Sequence, residues 1–196
     1  MCDDLAARAS TLFPSIGGTG AGALDADAPL VRQSRDGDRD AFAALVSRHQ
    51  RSVFNLAFRL LGNYDDASDA AQETFLIAWR RLDSFREEAR FSTWLYRIAY
   101  NVCLKRLELR RRDGSAGEAD LAGEPAPTES AGTQAERRVL VAEGIATLPL
   151  KYRAVVVLFY LREHTYEEIA EILDLPVGTV KTHLFRARQL LKEALR

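Results

Sequence analysis

Apolar residues recur every three or four positions through most of this chain, which is the period of an α-helix. From Asp40, placed to cap a helix, the stripe runs Phe42, Leu45, Val46, Val53, Leu56, Ala57, Leu60, and Gly62 is placed to end it. A second stripe, Ala67, Ala70, Ala71, Thr74, Phe75, Ala78 and Trp79, predicts a helix from about Asp65 to Leu82. "DSFREEARF" breaks the period and reads as a loop. Ser92 or Thr93 then caps a third helix with Trp94, Leu95, Ile98, Ala99 and Val102 inward, running into the basic cluster "KRLELRRR". Farther on, Ala135 to Thr147 predicts one helix and "PLKYRAVVVLFYLRE" another. The β-branched run Val155–Val157 suits a strand by propensity, yet no partner strand is visible, so it reads as buried helix.

The stretch "TYEEIAEILDLPVGTVKTHLFRARQLL", residues 165–191, carries the densest local signals. Thr165 and Glu168 have the spacing of a capping box. Ile169, Ala170, Ile172 and Leu173 form a short apolar stripe. Pro176 pushes Leu175 out of the helical region and breaks the chain there. A second helix follows with Val177, Val180, Leu184, Ala187 and Leu191 on one face, while Lys181, Thr182, Phe185, Arg186 and Arg188 face elsewhere. This is the pattern of a helix-turn-helix, whose second helix enters the major groove. Lys and Arg can grip guanine edges or phosphates there, and Thr and Phe can touch a thymine methyl. An amphipathic hairpin with a solvated basic face would show the same periodicity, and Ala170 at the helix crossing and the basic helix start favour DNA.

Two segments lack any helical period. Residues 1–30, with "STLFPSIGGTGAGALDADAPL", read as a mobile arm, and residues 113–134, "DGSAGEADLAGEPAPTESAGTQ", as a flexible acidic linker. The expectation is therefore an all-α fold of two small helical domains, 31–112 and 135–196, joined by that linker. Charge sharpens the division. The total of 27 Lys+Arg against 28 Asp+Glu is near neutral. By segment, however, residues 1–29 carry net −3, 30–112 net +5, 113–134 net −5 and 135–196 net +2. Two basic blocks are cancelled by two acidic, low-complexity ones, so phosphate contact can be local.

Hydrophobic content of 47% supports packed cores. No apolar run is long enough to cross a bilayer, and the acidic N-terminus lacks the features of a signal peptide. Cys2 and Cys103 belong to no CxxC or Cys/His cluster, so neither a zinc site nor a disulfide framework is expected, nor any metal or cofactor. A reducing, cytoplasmic setting is the simplest reading, with Cys103 a buried structural thiol.

Two surfaces of the first block carry chemistry. "RFSTWLYRIAYNVCLKRLELRRR" interleaves Phe91, Trp94, Tyr96 and Tyr100 with bases, a combination that suits single-stranded nucleic acid through stacking and phosphate tracking. Trp94 and Tyr100 would equally serve as core. "DDASDAAQETF" places Asp65, Asp66, Asp69 and Glu73 at helical spacing, an acidic face that repels DNA and suits a basic protein partner. Part of that charge also complements the helix N-terminus. DDxxD can hold magnesium against a diphosphate, but no second acidic motif accompanies it. A stand-alone helix-turn-helix regulator would explain 135–196 and leave the aromatic–basic helix beside an acidic one without a role.

Taken in order, "DAFAALVSRHQRSVFNLAFRLLGNYDDASDAAQETFLIAWRRLDSF", "RFSTWLYRIAYNVCLKRL" and "YEEIAEILDLPVGTVKTHLFRARQLL" resemble bacterial RNA polymerase sigma factors of the extracytoplasmic-function group, over residues ~36–112 and ~135–196. The resemblance implies a non-enzymatic specificity subunit that binds core polymerase and promoter DNA. It implies that Asp66, Asp69, Gln72 and Glu73 dock on the coiled coil of the polymerase clamp, with the second domain near the flap. It implies that the Ser84–Phe91 loop and the following helix capture and melt the minus-10 element, through Phe85, Arg90, Phe91, Trp94, Arg97, Tyr100, Asn101, Lys105 and Arg106. Thr179, Lys181, Thr182, Phe185, Arg186 and Arg188 would read the minus-35 element, the linker would thread toward the RNA exit path, and an anti-sigma factor would be a further partner. Lys105 stands where some relatives have a small polar residue. Lys181 and Thr182 stand where many have Arg and Ser, and Lys lacks the bidentate fork of Arg.

Overall fold

The computed structural model describes residues 25–112, 142–161 and 164–194, which form two compact units. The arm up to residue 24, the linker 113–134 and the first half of the helix expected from Ala135 lie outside the described residues. Every regular element among the described residues is helical.

The first unit comprises α1 (Ala28–Arg35), α2 (Arg39–Leu61), α3 (Tyr64–Arg81), a 3-10 turn at Leu82–Ser84, and α4 (Phe91–Arg112). Asp38 caps α2, accepting from the amides of Asp40 (2.9 Å) and Ala41 (3.1 Å), so the cap lies two residues before the expected Asp40. Gly62 ends the helix with φ 71°, its amide donating to the Phe58 carbonyl at 2.8 Å. Asn63 caps α3 by accepting from the Asp66 amide at 2.9 Å. Ala67, Ala70, Ala71, Thr74 and Ala78 are buried along α3, and such small residues let neighbouring helices pack closely. Leu45, Val53, Leu56 and Leu60 of α2 and Leu95, Ile98, Ala99 and Val102 of α4 supply most of the remaining core.

Four expectations need correction here. The arm was placed at 1–30, yet residues 25–30 belong to the fold: Pro29 opens α1, and Asp27 is 5% exposed. Its carboxylate receives Arg48 and, at 2.7 Å, His49 Nε2. Neither Ser92 nor Thr93 caps α4. The helix begins at Phe91, whose amide donates to Asp25 Oδ2 at 2.7 Å, a cap supplied from 66 residues away. Trp79, read as inward, is 40% exposed, because it sits at the rim of a groove between α2 and α3 rather than in the core. Phe85 and Phe91 were expected to meet unpaired bases, yet both are buried and pack edge to face at 5.9 Å.

The second unit contains helical residues 142–147, α5 (Leu150–Val156) widening into a π-type turn at Val157–Leu161, α6 (Tyr166–Leu173) and α7 (Val177–Ala194). Val155–Val157 is buried helix, as expected. The capping box forms in both directions: the Glu168 amide donates to Thr165 Oγ1 at 3.2 Å, and the Thr165 amide donates to Glu168 Oε2 at 2.9 Å. After α6 the chain turns through Asp174, at φ 55°, and the Leu175 amide closes on the Ala170 carbonyl at 2.9 Å. Ile169, Ile172, Leu173, Val180, Leu184 and Ala187 are buried.

Candidate nucleic-acid interface

Helix α7 turns one apolar face to the core and leaves a row of chemically varied side chains outside. Lys181, Thr182, Phe185, Arg186 and Arg188 are exposed, Phe185 at 63%, and Thr179 is half-buried. A Phe that exposed is costly to solvate without a partner and is well placed to meet an apolar group such as a thymine methyl. The Thr182 hydroxyl donates to the Gly178 carbonyl at 2.9 Å, so what it leaves for a partner is its methyl and an acceptor lone pair.

Three tyrosines that the sequence reading did not single out hold the cations of this helix. Lys181 Nζ lies 5.6 Å from the centre of the Tyr166 ring. Arg188 Nε donates to the Tyr160 hydroxyl at 2.8 Å, with its guanidinium carbon 5.7 Å from the ring centre. The polar influence of Arg186, aided by the charge of Lys151, whose Nζ lies 5.1 Å from the centre of the ring, holds the Tyr152 hydroxyl below the usual tyrosine range. The Tyr152 ring also meets His183 edge-on at 5.3 Å. Burial first, then the charges of Lys151 and Arg186, lowers the His183 pKa. No periodicity marks these tyrosines, because each reaches α7 from a different element; their only sequence signal is being aromatic and upstream of a basic helix.

On α4, Arg97, Asn101 and Lys105 are exposed at a spacing of four residues, and so share one helix face. Trp94 and Arg90 are half-buried at the upstream end of that face. Trp94 packs against Phe85 at 5.2 Å and Phe91 at 5.8 Å, so the buried phenylalanines serve as the bed of the one aromatic ring in this cluster that reaches the surface. Tyr100 is half-buried, its hydroxyl raised by burial and by Cys103. Burial pushes the Cys103 thiol up to about 12, in keeping with a structural role.

Arg106 does not join the Arg97 row. It turns toward α3 and pairs with Glu73 at 3.1 Å and Asp69 at 3.5 Å. One turn on, Arg110 pairs with Asp66 at 3.2 Å and donates to the Leu61 carbonyl at 3.2 Å. The expected acidic face is thus bridged in part to α4, while Asp69 stays 65% exposed and Asp65 is exposed beside it. Helical spacing puts Arg106 and Arg110 on the flank of α4 that faces α3, half-buried, where three carboxylates pair with them. Two of the three aspartates of the DDxxD motif are spent in these pairs, which counts against a magnesium–diphosphate role. Gln72 remains exposed, and beside it Leu76 (58% exposed) and Trp79 border the α2–α3 groove. Phe42 lines the same groove, 4.7 Å from Trp79.

The domain comparisons agree with this division. Residues 45–113 match the Sigma-70 region 2 family and residues 138–191 the Sigma-70, region 4 family. The ECF RNA polymerase sigma factor SigW of Bacillus subtilis is 39% identical over 178 residues, covering 85% of this chain and 95% of the relative. The chain belongs to the ECF RNA polymerase sigma factors. An ECF RNA polymerase sigma-E factor of Haemophilus influenzae is 36% identical, covering 86% of this chain and 95% of its own. Among solved structures, CnrH in complex with the cytosolic domain of CnrY is similar at 29% identity and a TM-score of 0.64, covering 87% of this chain and 97% of that one. The sigma factor RpoE in complex with the anti-sigma factor NepR from Bartonella quintana gives 25% identity and a TM-score of 0.68, with 79% and 96% covered. As a sigma factor the protein directs promoter-specific transcription initiation. The helical two-domain reading and the family resemblance of the sequence are both borne out.

Proposed function

We propose that this sigma factor divides promoter recognition between the exposed faces of α7 and α4. Thr179, Lys181, Thr182, Phe185 and Arg186 read the minus-35 element, with Arg188 beside them on the phosphates. Trp94, Arg97, Asn101 and Lys105 take the opened minus-10 strand, with Arg90 and Tyr100 at the margin of that surface. The observation that carries this reading is the row on α7, where an exposed Phe lies among cations held by tyrosines on the face opposite the core. Stacking on Trp94 and phosphate contacts from Arg97 and Lys105 would offset the cost of unpairing bases.

Core polymerase engages α3 through the exposed Gln72 and the neighbouring groove, while Asp66, Asp69 and Glu73 brace that helix against α4. The second unit meets the flap. Catalysis belongs to the polymerase, and this subunit is not an enzyme. The two structural neighbours are held in complexes with other proteins, one of them an anti-sigma factor, which supports an anti-sigma partner for this chain. No described helix is long and apolar enough to cross a membrane, in keeping with work in the bacterial cytoplasm, where polymerase is.

The test is transcription in vitro with core polymerase, followed by start-site mapping and by gel shift of the protein alone on the same duplex. A sigma factor working this way gives defined starts with core and weak duplex binding without it. Tight duplex binding alone, with no effect of core, would instead identify a free-standing regulator.

A further inference from the structure

The loop between α3 and α4 is gripped at three points by the N-terminal segment. At its entry, Arg35 Nε donates to the Leu82 carbonyl at 3.2 Å, and the guanidinium carbon lies 5.9 Å from the centre of the Phe85 ring. At its apex, the two carboxylate oxygens of Glu87 are taken by different arginines of α1: Oε1 by Arg35 Nη1 at 3.1 Å and Oε2 by Arg32 Nη2 at 3.2 Å. At its exit, Asp25 Oδ2 receives the Phe91 amide. Asp25 Oδ1 accepts the amide of Asp27, whose carboxylate is anchored on α2, so the grip connects to the core.

Glu87 has φ 55°, a left-handed conformation that a residue with a Cβ adopts only where its surroundings hold it. Arg35 and Glu87 are 24% and 30% exposed in their side chains, so their pairing is better shielded than an ordinary surface bridge. Arg32, at 67%, is the outer member. A loop that must be ordered at the moment of binding subtracts that ordering cost from affinity, whereas a loop already in shape does not.

We propose that Arg32, Arg35 and Asp25 are positioning residues for promoter opening. They hold residues 84–90 in one shape before DNA arrives, so that an unpaired base meets a finished surface beside Trp94 and Asn101. The role rests on the reading that this loop and α4 take the minus-10 strand.

The experiment uses holoenzyme assembled with the full chain. It measures open-complex formation by permanganate reactivity of minus-10 thymines, polymerase affinity, and unfolding of the free sigma factor. R35Q and E87Q are each expected to slow opening about fivefold with unchanged polymerase affinity. R35K, which keeps a cation within reach of Glu87, should retain more of the rate than R35Q. E87G separates positioning from stability. Glycine takes a positive φ without strain, so the domain should unfold no more easily while opening still slows. Wild-type opening in R35Q and E87Q, alongside slowed opening in W94A and N101A, would overturn the positioning role and leave the minus-10 reading intact. Wild-type opening in W94A and N101A as well would overturn both. Opening lost only in proportion to stability, with R35K no better than R35Q, would show the bridge to be a brace for the fold alone.

Discussion

Replacing Asp27 with Ala should unfold the first unit substantially more easily, although this residue sits in what reads as a tail. The carboxylate is 7% exposed and is shared by Arg48 and His49 Nε2. Arg48 is 47% exposed and can turn to water when its partner is lost. His49 is 13% exposed, pressed against the Phe91 ring at 5.7 Å, and cannot. The larger loss is therefore one charge-assisted bond to a nearly buried donor, about 2 kcal/mol, with a few tenths more from Arg48. At a urea dependence of roughly 2 kcal/mol per molar, the midpoint should fall by about 1 M. Both tryptophans of the chain, Trp79 and Trp94, lie in this unit, so their fluorescence reports its unfolding without interference from the other.

The pH dependence gives a second arm to the same test. Burial pushes the Asp27 carboxyl up, but the bonds and charges of His49 and Arg48 outweigh it and hold the group below its ordinary value of 3.8. A depressed carboxyl stabilises the fold above its unfolded value and loses that contribution as pH falls through the folded one. The gap between wild type and Asp27→Ala should be full at pH 7 and close below about pH 4. A midpoint shift under about 0.2 M at pH 7, or a gap that persists undiminished in strong acid, would refute the anchoring role.

Three further outcomes follow from the interfaces. Arg186→Ala should reduce transcription from minus-35-dependent promoters about 10- to 100-fold, as expected for loss of a base-edge contact, with polymerase affinity unchanged; equal losses in both would remove Arg186 from the reading face. Arg106→Ala and Lys105→Ala should behave oppositely. The first lowers the unfolding midpoint and leaves minus-10 strand binding by holoenzyme within about twofold, while the second weakens strand binding about fivefold at unchanged stability. The reverse pattern would return Arg106 to the DNA surface. Cys103 should resist alkylation at pH 8 in the native protein and react on unfolding, because burial keeps its thiol protonated; native labelling at the unfolded rate, read by mass spectrometry, would contradict that burial.

Local signals were legible in the sequence and long-range ones were not. The capping box at Thr165 and Glu168, the break at Pro176 and the five-residue outer face of α7 depend on neighbours within a turn or two, so spacing alone places them. Periodicity also found most of the inner faces of α3 and α4, missing at Trp79 and Trp94, which lie at the rims of those faces. What it could not tell is which of two helix flanks a long charged side chain serves. Arg106 and Arg110 belong to a basic run by sequence, yet the carboxylates of α3 claim them. The arrangement at Phe91 shows a second blind spot. Its aromatic ring is equally suited to stacking and to core, and only the fold, with Trp94 lying over it, decides for core. The cap of α4 by Asp25 and the clasp on Glu87 span more than fifty residues, and no local rule reports them.

The setting of His183 bears on the proposed minus-35 surface of α7. An ordinary histidine gains charge as the cell interior drifts mildly acidic, and one lying within a recognition helix would then add a cation and alter phosphate affinity across all sequences. Here burial and the neighbouring Lys151 and Arg186 lower the pKa, so the ring stays neutral further into acid. The net charge of α7 is thereby less sensitive to mild acid than it would be with an ordinary histidine at that position. On the proposed reading of α7, affinity for the minus-35 element should vary less with mildly acidic pH than it would with a fully solvated histidine at 183.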